Sequence, residues 1–318
     1  MRRAVLIAVL ALAAPAQAVV YPIPVPKHLT RYQVGIGEQD PVMFSDATFA
    51  PLGLKRVRYI VPWDWNRASY KRDTVTRFML AAQAAKAEVL VHFASSAGCY
   101  DGKRYLRKKH CRAPTVRAYT RSVRAFRKAF PYVHVFGAWN EANHKSQPIY
   151  HRPKLAARYY NALRRTCRSC TIVAADLLDE PSLPAYVHAF RKVAKHPRLW
   201  GLHNYIDVNY RRPTGTRGML RLVPGRVWLT ETGGLVRFGA KFPYSLKRAA
   251  AATEYLFDLA DRFSHRRRGL RSRITRIYPY AWRGEIRGAH YDSGLVGPTG
   301  KQRPAYRVFR HKLFTRSR

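Results

Sequence analysis

From residue 32 onward the hydrophobic positions change period again and again. Short runs rich in β-branched and aromatic residues, at 32–37, 56–62, 88–94, 134–139, 171–176, 199–205, 226–230 and 274–281, predict strands. Between them, stretches at 73–87, 116–130, 153–165, 182–195, 245–263 and 303–314 carry apolar residues at i, i+3 and i+4 with Arg or Lys interspersed. That spacing predicts amphipathic helices. Two shorter segments, 43–52 and 216–222, fill the helical slots after the first and sixth strands.

Eight strand-and-helix units in one chain predict an α/β fold of the (β/α)8 TIM-barrel type, with a single domain over 32–318, rather than an open doubly wound sheet. No Gly-rich dinucleotide fingerprint or P-loop follows any strand, so the nucleotide-binding readings lose their main support. Loops at 95–114 and 207–215 are expected on the C-terminal rim, where barrel enzymes keep their sites.

The pattern ahead of residue 32 differs. Arg2 and Arg3 precede an apolar run over 4–14, and Ala16-Gln17-Ala18 supplies small residues for cleavage, so residues 1–18 read as a signal peptide. Residues 19–31, with Pro22, Pro24 and Pro26, read as an extended lead. The expected location is secreted, extracellular or at the cell surface, with no transmembrane segment after cleavage.

Composition changes this picture in two ways. The formal charge is +41, from 59 basic and 18 acidic residues. The basic residues are spread along the whole length, which predicts a general attraction to anionic polymers rather than a dedicated recognition face. No zinc-finger or RNP-like motif accompanies them, so no specific nucleic-acid partner is expected. Four cysteines in an exported chain read as two disulfides, and local spacing favours Cys99 with Cys111 and Cys167 with Cys170 among the three formal pairings. A zinc site built from all four is the weaker alternative.

Against so few acidic residues, a Glu ending an apolar strand stands out, and two strands end that way. One run reads Val135-Phe136-Gly137-Ala138-Trp139-Asn140-Glu141, after strand four. The other reads Val227-Trp228-Leu229-Thr230-Glu231, after strand seven. Cleaving a glycoside needs two carboxyl groups flanking the anomeric carbon, one to protonate the leaving oxygen and one to attack. Strands four and seven lie across a barrel mouth from one another and can hold such a pair. Taken singly, either Glu could instead be a helix cap or a rim ion-pair partner.

These motifs, in this order along nearly the whole chain past the leader, resemble the clan A glycoside hydrolases, the retaining group that includes family 5 and family 39. The resemblance implies Glu141 as acid/base, Asn140 as its neighbour contacting the sugar, and Glu231 as nucleophile. It further implies that Arg58 and Tyr205 support the nucleophile, that His203 lies on the site rim, and that Trp282 forms an aromatic floor. Trp63, at the end of strand two, is expected as a second sugar platform. Physical reasoning adds that Glu231 should be ionised and Glu141 protonated at rest.

Asp176 and Asp179-Glu180, ending strand five, offer a substrate or cation contact, although Asp179 to Ser182 also reads as a helix start. The absence of a GxSxG elbow and of HExxH argues against serine or zinc hydrolysis, and no metal or organic cofactor is required. The expected partner is a β-linked poly- or oligosaccharide, with the positive charge suggesting an acidic one. Two rival readings are a transglycosylase remodelling an exopolysaccharide or cell-wall glycan, and a catalytically dead barrel that binds carbohydrate.

Overall fold

The computed structural model describes residues 32–99, 106, 108 and 111–315. The expected signal peptide at 1–18, the lead at 19–31 and part of the 95–114 loop lie outside those residues.

Eight parallel strands are present: β1 (Gln33–Val34 continued by Ile36–Gly37), β2 (Arg56–Pro62), β3 (Glu88–Ala94), β4 (Val135–Gly137), β5 (Thr171–Val173 continued by Asp176–Leu178), β6 (Leu199–His203), β7 (Gly225–Thr232) and β8 (Ser272–Pro279). They form two five-stranded sheets that meet at β1 and β5. The first half of β1 pairs with β8 and the second half with β2, whereas β5 pairs first with β4 and then with β6. Pairing therefore runs from β1 through β8 and back to β1, the (β/α)8 arrangement expected from the sequence.

The helices are α1 (Ser69–Ala84), α2 (Val116–Ala129), α3 (Pro153–Thr166), α4 (Leu183–Arg191), α5 (Tyr205–Asn209), α6 (Thr214–Leu222), α7 (Leu246–Phe263) and α8 (Pro304–Thr315). Their starts follow local chemistry. The Thr115 and Ser245 side chains cap α2 and α7 by accepting backbone N–H bonds, and Pro153 opens α3, where no N–H is needed.

Two expectations are corrected. Residues 43–52 form no continuous helix but two 3₁₀ turns, Pro41–Ser45 and Ala50–Leu52, the second stopped by Gly53 at φ 63°. The sixth strand stops at His203, and Tyr205 opens α5, part of which lies inside the expected 207–215 loop.

Alternation along the strands divides the core. Val57, Tyr59, Val61, Val89, Val91 and Phe93 face outward into the main apolar layer beneath the helices. Facing inward, Leu90, Val135, Val173, Leu199, Trp228 and Tyr278 fill the lower half of the barrel. The Arg276 guanidinium lies 3.9 Å from the centre of the Trp228 ring and closes that end. Above this apolar layer the inward positions turn polar, beginning with Arg58 and His92. Both disulfides are formed, Cys99 with Cys111 and Cys167 with Cys170. Among the described residues, no helix is long and apolar enough to cross a membrane.

Candidate active site

The polar half of the barrel is organised around Arg58, which points inward from β2 and has no solvent exposure. Its Nη1 donates to Glu231 Oε2 at 2.8 Å and its Nη2 to Asp176 Oδ2 at 3.0 Å and to Asn140 Oδ1. Its Nε donates to His92 Nδ1 at 3.2 Å. One guanidinium thus ties together residues from β3, the end of β4, β5 and β7. Buried charges of this kind persist only when their hydrogen bonds are met.

Asp176 is the anionic counterpart. Besides Arg58, its Oδ2 meets His203 Nε2 at 2.9 Å and lies 3.4 Å from His92 Nε2, while Oδ1 accepts from the Thr230 hydroxyl. Burial opposes its charge, but His203, His92 and Arg58 prevail and hold the carboxyl far below the usual range. Two glycines make room for this layer. A Cβ on Gly201 would stand 2.1 Å from Asp176 Oδ1, and one on Gly137 would stand 1.9 Å from the His92 ring.

The two histidines differ in state. Burial pushes His92 down to about 3, so it is neutral. Burial acts in the same direction on His203, but Asp176 and Glu231 overcome it and lift that imidazole to about 10. The other nitrogen of His203, Nδ1, sits 3.2 Å from Glu141 Oε1.

Glu141 follows β4, with φ 49°, in the left-handed region that a residue with a side chain seldom adopts. The turn is held from both sides. Asn140 N–H donates to Phe93 O and Ala142 N–H to Asp176 O, while Asn143 exchanges two hydrogen bonds with the backbone of Leu178. Trp139 is fixed by its indole N–H on Gln147 Oε1 at 3.0 Å. Burial alone would raise the Glu141 pKa, but the hydrogen bond and charge of His203, then His144, lower it. The expectation of a protonated Glu141 at rest is therefore corrected. The sequence motif gave no sign that a cationic imidazole would touch it.

Glu231 reaches the same space from β7. Gly201 pairs with Trp228, but His203 pairs with Glu231, so β7 carries one extra residue between these points. The same irregularity appears against β8, where Ile277 pairs with Leu229 and Pro279 with Thr232. Strict alternation would send Glu231 outward with Val227 and Leu229. The bulge turns it into the mouth. There its Oε1 accepts from Tyr205 OH at 3.2 Å, and Tyr205 OH in turn accepts from Tyr291 OH at 2.8 Å. Oxygens of Glu141 and Glu231 and a ring nitrogen of His203 all lie within 4.8 Å of one another. Three such ligands could coordinate a cation. Two of them also bond the Arg58 network, which already supplies positive charge there.

Six of the expected residues, Arg58, Asn140, Glu141, His203, Tyr205 and Glu231, therefore share one cluster, and two do not join it. Trp282 is fully buried, packs edge-on against Phe49 and Tyr306, and donates its indole N–H to Asp46 at 3.2 Å. Trp63 is 9% exposed and its ring is covered by the Arg67 guanidinium at 4.6 Å. Neither ring presents a free face, so the expected sugar platforms are corrected to packing residues. The partly exposed aromatics around the carboxylates are Tyr205, Tyr280 and Tyr291.

The central part played by Asp176, and the presence of His92 and Tyr291, were not foreseen. An Asp closing the apolar run Thr171-Ile172-Val173-Ala174-Ala175 was the available signal for the first. Glu38, at the end of β1, is buried and raised by that burial, and accepts backbone N–H bonds from Gln39, Asp40 and Arg283. It fastens the first strand to the loop after the eighth.

Comparison with protein-family models and with curated protein sequences finds no match. Solved structures do match. A GH5_18 protein from Streptomyces cattleya, solved in complex with GlcNAc, has a TM-score of 0.62 at 15% identity, over 88% of this chain and 79% of that one. Xylanase 10B from Thermotoga petrophila RKU-1, in complex with xylobiose, has a TM-score of 0.60 at 13% identity, over 91% and 95%. A GH39 β-xylosidase from Caulobacter crescentus has a TM-score of 0.61 at 13% identity, over 91% and 71%. At these identities the likeness establishes the fold, and the chain adopts the barrel fold of the clan A glycoside hydrolases, families 5, 10 and 39 among them.

Proposed function

We propose that this chain is an exported, retaining glycosidase acting on β-linked poly- or oligosaccharides, with Glu231 as nucleophile and Glu141 as acid/base. The observation that carries the reading is that one oxygen of Glu141 and one of Glu231 lie within 4.8 Å of each other at the mouth of the barrel. Retaining enzymes hold their pair about 5 to 5.5 Å apart, whereas inverting enzymes leave about 6.5 to 9.5 Å for a water. The fold neighbours support the same class, since two of them were solved with GlcNAc or xylobiose bound.

In this reading the anomeric carbon sits between the carboxylates. Glu231 attacks it, the glycosidic C–O bond breaks with its electron pair leaving on oxygen, and Glu141 delivers a proton to that oxygen. Water then adds to the glycosyl ester, giving its proton to Glu141 and releasing Glu231. Arg58 and Tyr205 hold the attacking carboxylate in place.

The proton for the first step comes from a coupled pair. In the open site it rests on His203, bonded to Glu141. A sugar that displaces water from the mouth disfavours the charged pair, and the proton crosses to Glu141. The tyrosines Tyr205, Tyr280 and Tyr291 supply the apolar faces that bind sugar C–H edges.

The test is a panel of plant, fungal and bacterial β-glycans, with the anomer first released followed by NMR. Retained configuration is expected, as is loss of turnover in Glu231→Gln and return of activity with azide in Glu231→Gly as an inverted glycosyl azide. Undiminished turnover in Glu231→Gln, or an inverted first product from the natural chain, would end the proposal.

A further inference from the structure

The opposite end of the barrel has a different character. Between the C-terminus of α3 and the starts of β5, β6 and β7 lies a hollow of about 680 Å³, lined by Arg164, Arg165, Arg168, Lys195, Arg198 and Arg226 among others. A second hollow shares Arg198 and Arg226 with it and adds Arg266, Arg267, Arg271 and Arg273. A third shares Arg165 and adds Arg124, Arg127 and Lys128. Through these shared residues the three adjoin one another in a trough-like row across the N-terminal face, and no aspartate or glutamate lines any of them.

This segregation is not a simple consequence of an Arg-rich composition. Acidic residues are scarce; Glu38, Glu141, Asp179, Glu180 and Glu231 sit at or just beyond the C-terminal ends of strands, and Glu88, at the start of β3, pairs with Arg56 and Arg276 and does not line the trough. The cations at the other end are held in position without being neutralised. Arg164 donates to Lys195 O, Arg127 to Thr166 O and Arg273 to Ser264 O, all backbone carbonyls. The Cys167–Cys170 bridge fixes the α3-to-β5 loop that forms one wall.

We propose that this trough is a docking surface for a linear acidic polysaccharide, separate from the catalytic mouth and holding the chain on an anionic glycan. Planar guanidinium groups pair bidentately with carboxylates, and a row of them fits a chain with regularly spaced charges. Single-stranded nucleic acid fits less well, because it needs aromatic faces for its bases. The aromatic residue of the trough, Tyr160, already has the Arg164 guanidinium over its ring at 5.7 Å. A membrane surface fits less well too, since the trough is concave and offers no exposed apolar wedge.

The test is direct binding of the full chain to polygalacturonate, an α-linked carboxylated polymer that a β-glycosidase does not consume. It compares Arg165→Gln/Arg198→Gln/Arg226→Gln with Arg72→Gln/Arg307→Gln/Arg310→Gln, a set with the same loss of charge on exposed helix positions elsewhere. The trough set is expected to weaken binding about tenfold or more and to flatten its salt dependence, with the control set within about twofold. Lysines at the same three trough positions should restore the salt dependence but only part of the affinity, which separates lost charge from lost folding and from the lost bidentate fork. Equal losses in the two glutamine sets would overturn the proposal, as would tighter binding of a single-stranded oligonucleotide or anionic vesicles at matched charge. Either result leaves the glycosidase reading intact, because catalysis is measured at the other end of the barrel.

Discussion

Asp176 and His203 face each other across 2.9 Å in a fully buried layer, and the far nitrogen of the same imidazole touches Glu141. Through this relation a carboxylate on β5 that faces no substrate sets the charge state of a histidine on β6, and through it the acidity of the carboxyl after β4.

Asp176→Asn removes the largest stabiliser of the His203 cation, so the imidazole should fall from about 10 toward its ordinary value. In the natural chain this raised pKa contributes stability that is complete below about pH 6.5 and is lost as pH rises through about 10. Denaturant titrations at pH 6, 8 and 10 should show that decline, and the variant should lack it. The alkaline limb of any glycosidase activity should move down in pH by more than one unit. A His203 resonance that still titrates near 10 in the variant would refute the link.

Gly201→Ala tests whether the room left for Asp176 matters. The added Cβ meets Asp176 Oδ1 at 2.1 Å and Thr230 Oγ1 at 2.7 Å, and neither side chain is free to swing away. A loss of about 1 to 3 kcal/mol, as overpacked cores show, is expected in urea unfolding, with catalysis reduced beyond the loss of folded protein. Unchanged stability and activity would mean that the layer is loosely packed.

Asp179 is the opposite electrostatic case. Burial, helped by the nearby Asp207 charge, raises its carboxyl to about 7. A raised pKa contributes stability present below about pH 4 and lost as pH climbs through 7. Asp179→Asn keeps an acceptor for the Asp207 N–H and should be more stable than the natural chain above pH 7, by on the order of 1 kcal/mol after solvent screening. The difference should vanish near pH 4. A constant difference across that range would contradict the assignment.

The reassignment of the sugar platforms can be read from KM and Tm together. Tyr280→Ala should raise KM severalfold with little change in Tm. Trp282→Ala empties a buried site and should cost about 3 to 5 kcal/mol of stability whatever the substrate. The reverse pattern would restore the indole as the binding surface.

The periods of hydrophobicity determined the eight-unit architecture, because strand and helix faces obey local repeats of two and 3.6 residues. The strand bounds 56–62 and 88–94 match β2 and β3 to the residue. The order of the motifs likewise located the residues of the cluster at strand ends. Side-chain direction was beyond its reach. Glu231 enters the mouth only through a bulge defined by pairing with β6 and β8, and Glu141 through a left-handed turn braced by Asn143 and Leu178. The tryptophans failed as platforms for the same reason, since composition names an aromatic ring but not the layer it faces. Asp176 became the centre of the site, and the scattered cations became one trough, only when distant segments came together. Register and charge distribution are properties of strand pairing and of the folded surface, and no local stretch of sequence contains them.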